Sequence, residues 1–157
     1  MRTIPLALLF AAVACSSNNS GPPANVAGTW TLSVTDGNNG CSIPNFTTGA
    51  TTTGVTVQIT QNGSNLSAAA QGASGLSLAF DTGNTLSGTI TGDQATLSAT
   101  GNHTQGNCAY TTTATASITF DGSQMQGSIS YSDQGNNSTD CGVLQQCTST
   151  QTFTGSK

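Results

Sequence analysis

The stretch Ala109–Phe120, AYTTTATASITF, alternates strictly between two kinds of side chain. One set of alternate positions runs from Tyr110 to Phe120 and is mostly apolar, with two alanines and Ile118 between them. The other set consists of Thr and Ser after the opening alanine. A period of two is typical of a β-strand that buries one face and exposes the other. This stretch therefore predicts a strand, and its neighbours in sequence repeat the pattern.

The same alternation recurs along the body of the chain, as in GTWTLSVTD from Gly28 and VTVQIT from Val55. Turn signals such as QNGSN, TGDQ and FDGSQ separate the runs, as expected for successive hairpins. Glu is absent and Lys and Arg number only 2, so residues that favour helices are scarce. The pattern predicts eight strands: 29–35, 55–61, 65–71, 85–91, 94–100, 109–120, 124–132 and 147–155.

An even number of strands has a consequence for topology. In an up-and-down meander of eight strands the first and last run antiparallel, so they can pair and close a barrel. Closure removes the exposed edges that a sheet so poor in Lys would otherwise present. We therefore expect an all-β fold, an antiparallel up-and-down meander that closes into an eight-stranded barrel. GLSLAF at 75–80 is a candidate ninth strand, which this count assigns to a hairpin extension or a covering segment.

The composition excludes several functions. Charged residues make up 5% of the 157-residue chain and the net charge is −4. Binding nucleic acid requires several Lys or Arg to neutralise phosphates, and so does docking on anionic lipid. We expect neither function.

The N-terminus predicts export. Arg2 supplies a positive charge, and an apolar run from Ile4 to Ala14 follows that is too short to span a membrane as a helix. Residues 1–14 are therefore expected to be a signal peptide. Cleavage after Ala14 by ordinary signal peptidase would give a soluble periplasmic or secreted protein with Cys15 as a free thiol.

Ala12-Val13-Ala14-Cys15 also resembles the lipobox of bacterial lipoproteins. The resemblance implies that Cys15 carries lipid and holds the protein at the outer membrane or another surface of the cell envelope. Residues 15–27, whose sequence after Cys15 is SSNNSGPPANVA, would then be the attachment site and a flexible tether. Residues 28–157 form the predicted barrel domain.

Cysteine parity agrees with lipidation. Of 5 cysteines, setting Cys15 aside leaves an even set suited to two disulfides in an oxidising compartment. The meander places all four in or beside loops at one end of the barrel. Strand adjacency favours Cys41–Cys147, between the first and last strands, with Cys108–Cys141. The close alternative is Cys41–Cys108 with Cys141–Cys147, and metal binding is disfavoured because no C-x-x-C pair exists.

Gly28-Thr29-Trp30 opens the first strand, and a G-x-W motif there resembles the calycin group, meaning lipocalins and similar eight-stranded barrels. The resemblance implies that Trp30 packs at the closed end of the barrel and that a basic residue from the last strand lies over it. Lys157 is the candidate for that residue.

Catalytic chemistry is not indicated. All six Asp residues stand in turn contexts such as Asp36-Gly37 and Asp133-Gln134-Gly135, where Asp is common for its local hydrogen bonds. His103, the sole histidine, stands in the predicted loop GNHTQGN and is expected to be solvated. We expect no enzyme, no cofactor and no metal.

Two binding functions remain. Small residues at inward positions, among them Ala114, Ala116 and Gly127, could leave a cavity for one small apolar ligand. The residues expected to contact it are Leu97, Ile118, Ile129, Tyr131 and Phe153. The alternative is that the interior fills itself and the protein acts as an envelope interaction or inhibitor module through its disulfide-tied loops. The volume of the interior cavity distinguishes the two.

Overall fold

The computed structural model describes residues 21–71 and 82–157. Residues 1–20, with the predicted signal peptide and Cys15, lie outside the described residues, and so does the GLSLAF stretch at 75–80. Eight β-strands and one short 3-10 helix, Thr139–Gln145, make up the described elements. The strands are β1 Gly28–Asn39, β2 Thr51–Asn62, β3 Asn65–Gln71, β4 Thr85–Thr91, β5 Gln94–Gln105, β6 Cys108–Asp121, β7 Gln124–Gly135 and β8 Gln146–Ser156.

The strands form one closed antiparallel barrel in which each strand pairs with its neighbours in sequence. β1 and β8 complete the ring, with Val34 opposite Phe153 and Asp36 opposite Gln151. The predicted fold class is therefore confirmed. Every predicted strand is present, because alternation of apolar residues marks the face that each strand buries.

The two ends of the barrel differ in their connections. Tight turns centred on Gly63, Gly92 and Gly122 join strands at the end that we call the closed end, where Trp30 lies. The other end, which we call the disulfide end, carries the longer connections 40–50 and 136–145. The predicted clustering of the four cysteines at one end is confirmed.

Hydroxyl groups cover the outer wall. The registers of adjacent strands place Ser and Thr side by side, so the rows of hydroxyls continue from strand to strand. One row runs from β2 to β8 through Thr60, Ser67, Ser87, Ser98, Thr115, Ser130 and Thr150. This wall suits strand formation and stays polar without charge.

The interior is filled more completely than its small residues suggest. A Cβ atom added to Gly127 would lie 2.6 Å from Cζ of Phe153, so the phenyl ring occupies the space that the glycine leaves. Gly155 is filled in the same way by Leu32 of β1. Large side chains on one strand thus compensate for small residues on the next, which is how protein interiors reach close packing.

The segment before β1 is part of the barrel, and this corrects the predicted boundary at residue 28. Val26 is 1% exposed and belongs to the hydrophobic core. Its amide donates to Oε1 of Gln61, while the amide of Ala24 donates to the carbonyl of Gly92. The flexible tether predicted for residues 15–27 is therefore wrong for residues 24–27, because a buried valine closes this end of the barrel. In the described ranges, no helix is long and apolar enough to cross a membrane.

Most strands extend beyond their predicted bounds, and the extensions are concentrated at the disulfide end. Asp36 lies within β1 and Asp133 within β7, so the prediction that both stand in turns is wrong. His103 lies within β5, opposite Tyr110 of β6, and its ring centroid is 5.3 Å from that of Tyr110. The apolar alternation ends before these residues because the barrel interior becomes polar at this end.

Candidate binding cleft at the disulfide end

Two disulfides fasten the disulfide end. Cys41, just beyond β1, is bonded to Cys147 of β8 with their Cα atoms 5.0 Å apart. Cys108 of β6 is bonded to Cys141 of the 3-10 helix at a Cα separation of 4.9 Å. This is the pairing that strand adjacency favours, and the alternative pairing is wrong. Two such bonds indicate an oxidising, extracytoplasmic environment.

A buried acidic side chain lies beside the first disulfide. Asp133 is 6% exposed and stands between Thr112 and Cys147 in the register of β6, β7 and β8. Oγ1 of Thr112 donates to Oδ1 of Asp133, and Oδ2 lies 3.3 Å from Sγ of Cys147. Potential ligand atoms of Cys41, Cys147 and Asp133 lie within 4.8 Å of one another. The two sulfurs are bonded to each other, however, and do not offer the thiolates that bind metals.

A second set of polar side chains continues around the interior at this level. The hydroxyl of Tyr131 donates to Oε1 of Gln151 at 2.7 Å, and Nε2 of Gln151 donates to Oδ1 of Asp36 at 2.7 Å. Ser149, fully buried, accepts a hydrogen bond from the amide of Cys41. In the described part of the chain every buried side-chain nitrogen and oxygen has a hydrogen-bond partner. A satisfied network of this kind holds the disulfide end in one conformation.

What we call the polar layer consists of the buried or partly buried polar side chains Asp36, Asp133, Tyr131, Ser149 and Gln151. A cleft of about 410 Å³ opens above it. Its wall is mostly apolar, with Ile43, Pro44, Val143 and Leu144 around Tyr110, and the buried Asp133 also lines it. Val143 is 53% exposed and is the one exposed large hydrophobic residue among those described. The volume lies within the range of pockets that bind small molecules. The cleft therefore combines apolar walls with one carboxylate.

Hydrogen bonds to β1 hold the side of the cleft that Ile43 and Pro44 form. Asn39 accepts from the amide of Ile43 at 2.8 Å, and its Nδ2 donates to the carbonyls of Ile43 and Phe46. Asp36 accepts from the amide of Thr47 at 3.0 Å. Phe46 is buried against the core. This loop is therefore tied at both ends and in the middle, which suits it to present a preformed surface.

The opposite side of the cleft is formed by the 3-10 helix. Nδ2 of Asn107 donates to Oδ2 of Asp140, and Nε2 of Gln145 donates to Oδ1 of Asn137 at 2.8 Å. Gly142 interrupts the helix at φ 51° and ψ −122°, a conformation that other residues rarely adopt. The disulfide at Cys141 precedes this bend and the exposed Val143 follows it directly.

The barrel interior offers much less room. Leu97, Ile118, Ile129 and Phe153, four of the predicted ligand contacts, line an apolar cavity of about 30 Å³. That volume is about one water molecule's share of liquid water, about a tenth of the smallest usual ligand pocket. A small apolar ligand would therefore require the interior to open. Tyr131 is not among the lining residues, and its hydroxyl belongs to the polar layer instead.

We expect an apolar probe to leave the thermal stability of the protein unchanged. Decanoate should not raise the Tm, because the interior cavity is too small to admit an alkyl chain. The variant Ile118→Ala, which removes a 7% exposed side chain from the cavity wall, should gain a response to the probe. A rise of Tm in the unaltered protein that Ile118→Trp abolishes would show instead that the interior binds ligands.

The closed end shows the packing that the calycin resemblance implies. Trp30 is 0% exposed, and its ring centroid lies 5.5 Å from that of Phe120. Nζ of Lys157 lies 5.8 Å from the centroid of Trp30. Nε1 of Trp30 donates to the carbonyl of Val26 at 2.9 Å, a contact that the resemblance does not imply. The aromatic ring and the N-terminal segment together seal this end.

Comparison with models of protein families, with curated proteins and with solved structures found no match. The closed eight-stranded antiparallel barrel is compatible with a lipocalin-like fold and with a ligand-binding module of that kind.

The cleft was not predicted from the sequence, although the sequence does indicate that one of its residues, Asp133, lies on the inner face of a strand. Counting in steps of two from Ile129 through Tyr131 reaches Asp133, so the period of β7 already places this carboxylate on the inner face. Its position next to Gln134-Gly135 suggested a turn instead. No sequence pattern predicts that Ile43 and Val143 line the same cleft, because they come together only when two irregular connections fold.

Proposed function

We propose that this protein is an exported binding module that engages a protein partner in the cell envelope through the cleft at its disulfide end. The observation that carries the proposal is the contrast in volume between the cleft, about 410 Å³, and the interior cavity, about 30 Å³. A barrel that bound a ligand inside would need a much larger interior cavity than this one. Val143 lines the cleft together with Ile43, Pro44 and Leu144, and this shared apolar lining supports the proposal.

We also propose that Cys15 carries a lipid. The other four cysteines are bonded to one another, so Cys15 is the odd cysteine of the chain. Ala24 and Val26 are held at the closed end, so a chain attached at Cys15 enters the barrel opposite the cleft. From Cys15 to Ala24 the chain spans at most about 30 Å. A lipid at Cys15 would therefore direct the closed end to the membrane and the cleft away from it.

Site-directed photocrosslinking tests the proposed binding surface. A benzophenone amino acid at Val143, in cells that produce the native protein, should give one discrete adduct with an envelope protein. The same group at Ser64, in the exposed turn of the closed end, is the matched control and should give none. A Val143→Lys substitution in the purified protein should then weaken binding of the identified partner. Adducts of equal yield at both positions would contradict the proposal.

The mass of the native N-terminus tests the lipid. Tryptic peptides do not separate this region, since the chain has only Arg2 and Lys157 as cleavage sites. Intact-protein mass spectrometry is therefore the appropriate measurement, with Cys15→Ser as control. A native mass that matches an unmodified chain starting at Cys15 or Ser16 would contradict lipidation.

A further inference from the structure

Charge is distributed unequally between the two ends of the barrel. Asp36, Asp133 and Asp140 stand at the disulfide end. At the closed end Lys157, which lies over Trp30, partly offsets the negative charge of Asp93 and Asp121. Any partner that enters the cleft therefore approaches a surface of negative charge. Complementary charge of this kind guides association and selects partners.

Within the cleft, the negative charge is located at Asp133. Its side chain is 6% exposed, and it is the acidic residue that lines the cleft. An ionised carboxylate only accepts hydrogen bonds, and the strongest come from positively charged donors. Attraction between opposite charges is stronger in a low-dielectric site than at the surface, so a cationic group that reaches this carboxylate binds it more strongly there.

The other residues that line the cleft could contact the alkyl part of a basic side chain whose charged end lies at Asp133. Ile43, Pro44, Val143 and Leu144 are apolar, and Tyr110 presents an aromatic ring. A lysine side chain has the matching form, with four methylene groups that bury on apolar surface and a charged end. Ammonium groups also bind favourably over aromatic rings.

We infer that the cleft receives a lysine side chain of the protein partner, with the ammonium group directed to Asp133 and the methylene chain against the apolar wall. This inference rests on the proposed function, because it names the chemistry that the same cleft recognises. The occupant that we infer is a side chain of a protein partner, and the experiment distinguishes it from a free amine.

Amide NMR spectra of the isotope-labelled full chain provide the test, with N-acetyl-lysine N-methylamide as the probe. The capped lysine should shift resonances of Ile43, Asp133 and Val143 and leave the indole resonance of Trp30 unchanged. Capped norleucine, which has the alkyl stem without the charge, should bind at least about tenfold more weakly. Equal responses to both probes would overturn the inference while leaving the cleft as a binding site.

Substitutions of charged and rim residues show which charge is needed to bind the capped lysine. Asp133→Asn keeps an oxygen that can accept from Thr112, and it should weaken binding of the capped lysine at least about tenfold. Val143→Lys places a competing cation on an exposed rim position and should weaken it as well. Asp93→Asn, in a turn of the closed end, is the matched control and should change affinity less than about twofold.

The other outcomes are equally decisive. No response to capped lysine overturns the inference, and crosslinking at Val143 then decides the proposed function independently. A response to n-butylammonium as strong as that to capped lysine would show a site for free amines and overturn the choice of a protein partner. If Asp133→Asn loses binding and also changes the spectrum throughout the barrel, the loss has a structural cause. The effect of Val143→Lys on binding of the capped lysine then decides whether the inference holds.

Discussion

Replacing Cys41 and Cys147 together by alanine should lower the free energy of unfolding by about 5 kcal/mol. The two residues are 106 positions apart, so their bond restricts almost the whole unfolded barrel, and it also ties the loop after β1 to β8. The chain-entropy model of disulfides gives its largest effects for loops of this length. Urea unfolding followed by circular dichroism measures the change, with the Cys108–Cys141 bond kept oxidised.

The second disulfide supplies the matched comparison. Cys108 and Cys141 are 33 positions apart, so replacing both by alanine should cost about 4 kcal/mol by the same model. This bond also holds the 3-10 helix beside the cleft, so its loss should impair binding at Val143 more than loss of the first bond does. A larger stability loss for the shorter loop would contradict the entropic explanation.

Trp30→Ala should lower the free energy of unfolding by about 3–5 kcal/mol. The side chain is 0% exposed, packs 5.5 Å from Phe120 and holds Val26 through Nε1, so its removal opens the closed end. Urea unfolding should be followed by circular dichroism, because Trp30 is the only tryptophan and its fluorescence is lost with it.

Two milder substitutions separate the contributions at the closed end. Trp30→Phe retains an aromatic ring but leaves the carbonyl of Val26 without its indole donor, which should cost about 1–3 kcal/mol. Lys157→Met keeps an alkyl chain over the ring and removes the charge, which should cost about 1 kcal/mol or less. A loss at Lys157 as large as at Trp30→Ala would show that the cation, and not the buried ring, stabilises this end.

The strands and their closure could be predicted because the relevant information is local. Alternation along AYTTTATASITF identifies the buried face of β6 without reference to any other strand, and the same holds for β1 and β2. The number of strands then determines which connections share an end. Once Cys41 and Cys147 are placed beside the first and last strands, their pairing follows from adjacency.

The polar end of the barrel could not be predicted in this way. Asp36 and Asp133 carry turn-forming sequences after them, and a charged residue on a buried face contradicts the usual pattern. Asp133 is buried and Asp36 is partly buried, and both accept hydrogen bonds from residues of neighbouring strands, Thr112 and Gln151, only after the barrel has closed. The packing of Val26 under Trp30 depends in the same way on a contact with Gln61 of β2.

By itself, the sequence determined an eight-stranded antiparallel barrel whose four body cysteines gather at one end, because period and parity require only the order of residues along the chain. Only the tertiary structure decided where a partner could bind. Whether a small residue such as Gly127 leaves a cavity depends on the side chain that faces it from the next strand, and Phe153 fills that space. The cleft likewise exists only because two separate connections, those of Ile43 and Val143, fold toward the same buried carboxylate.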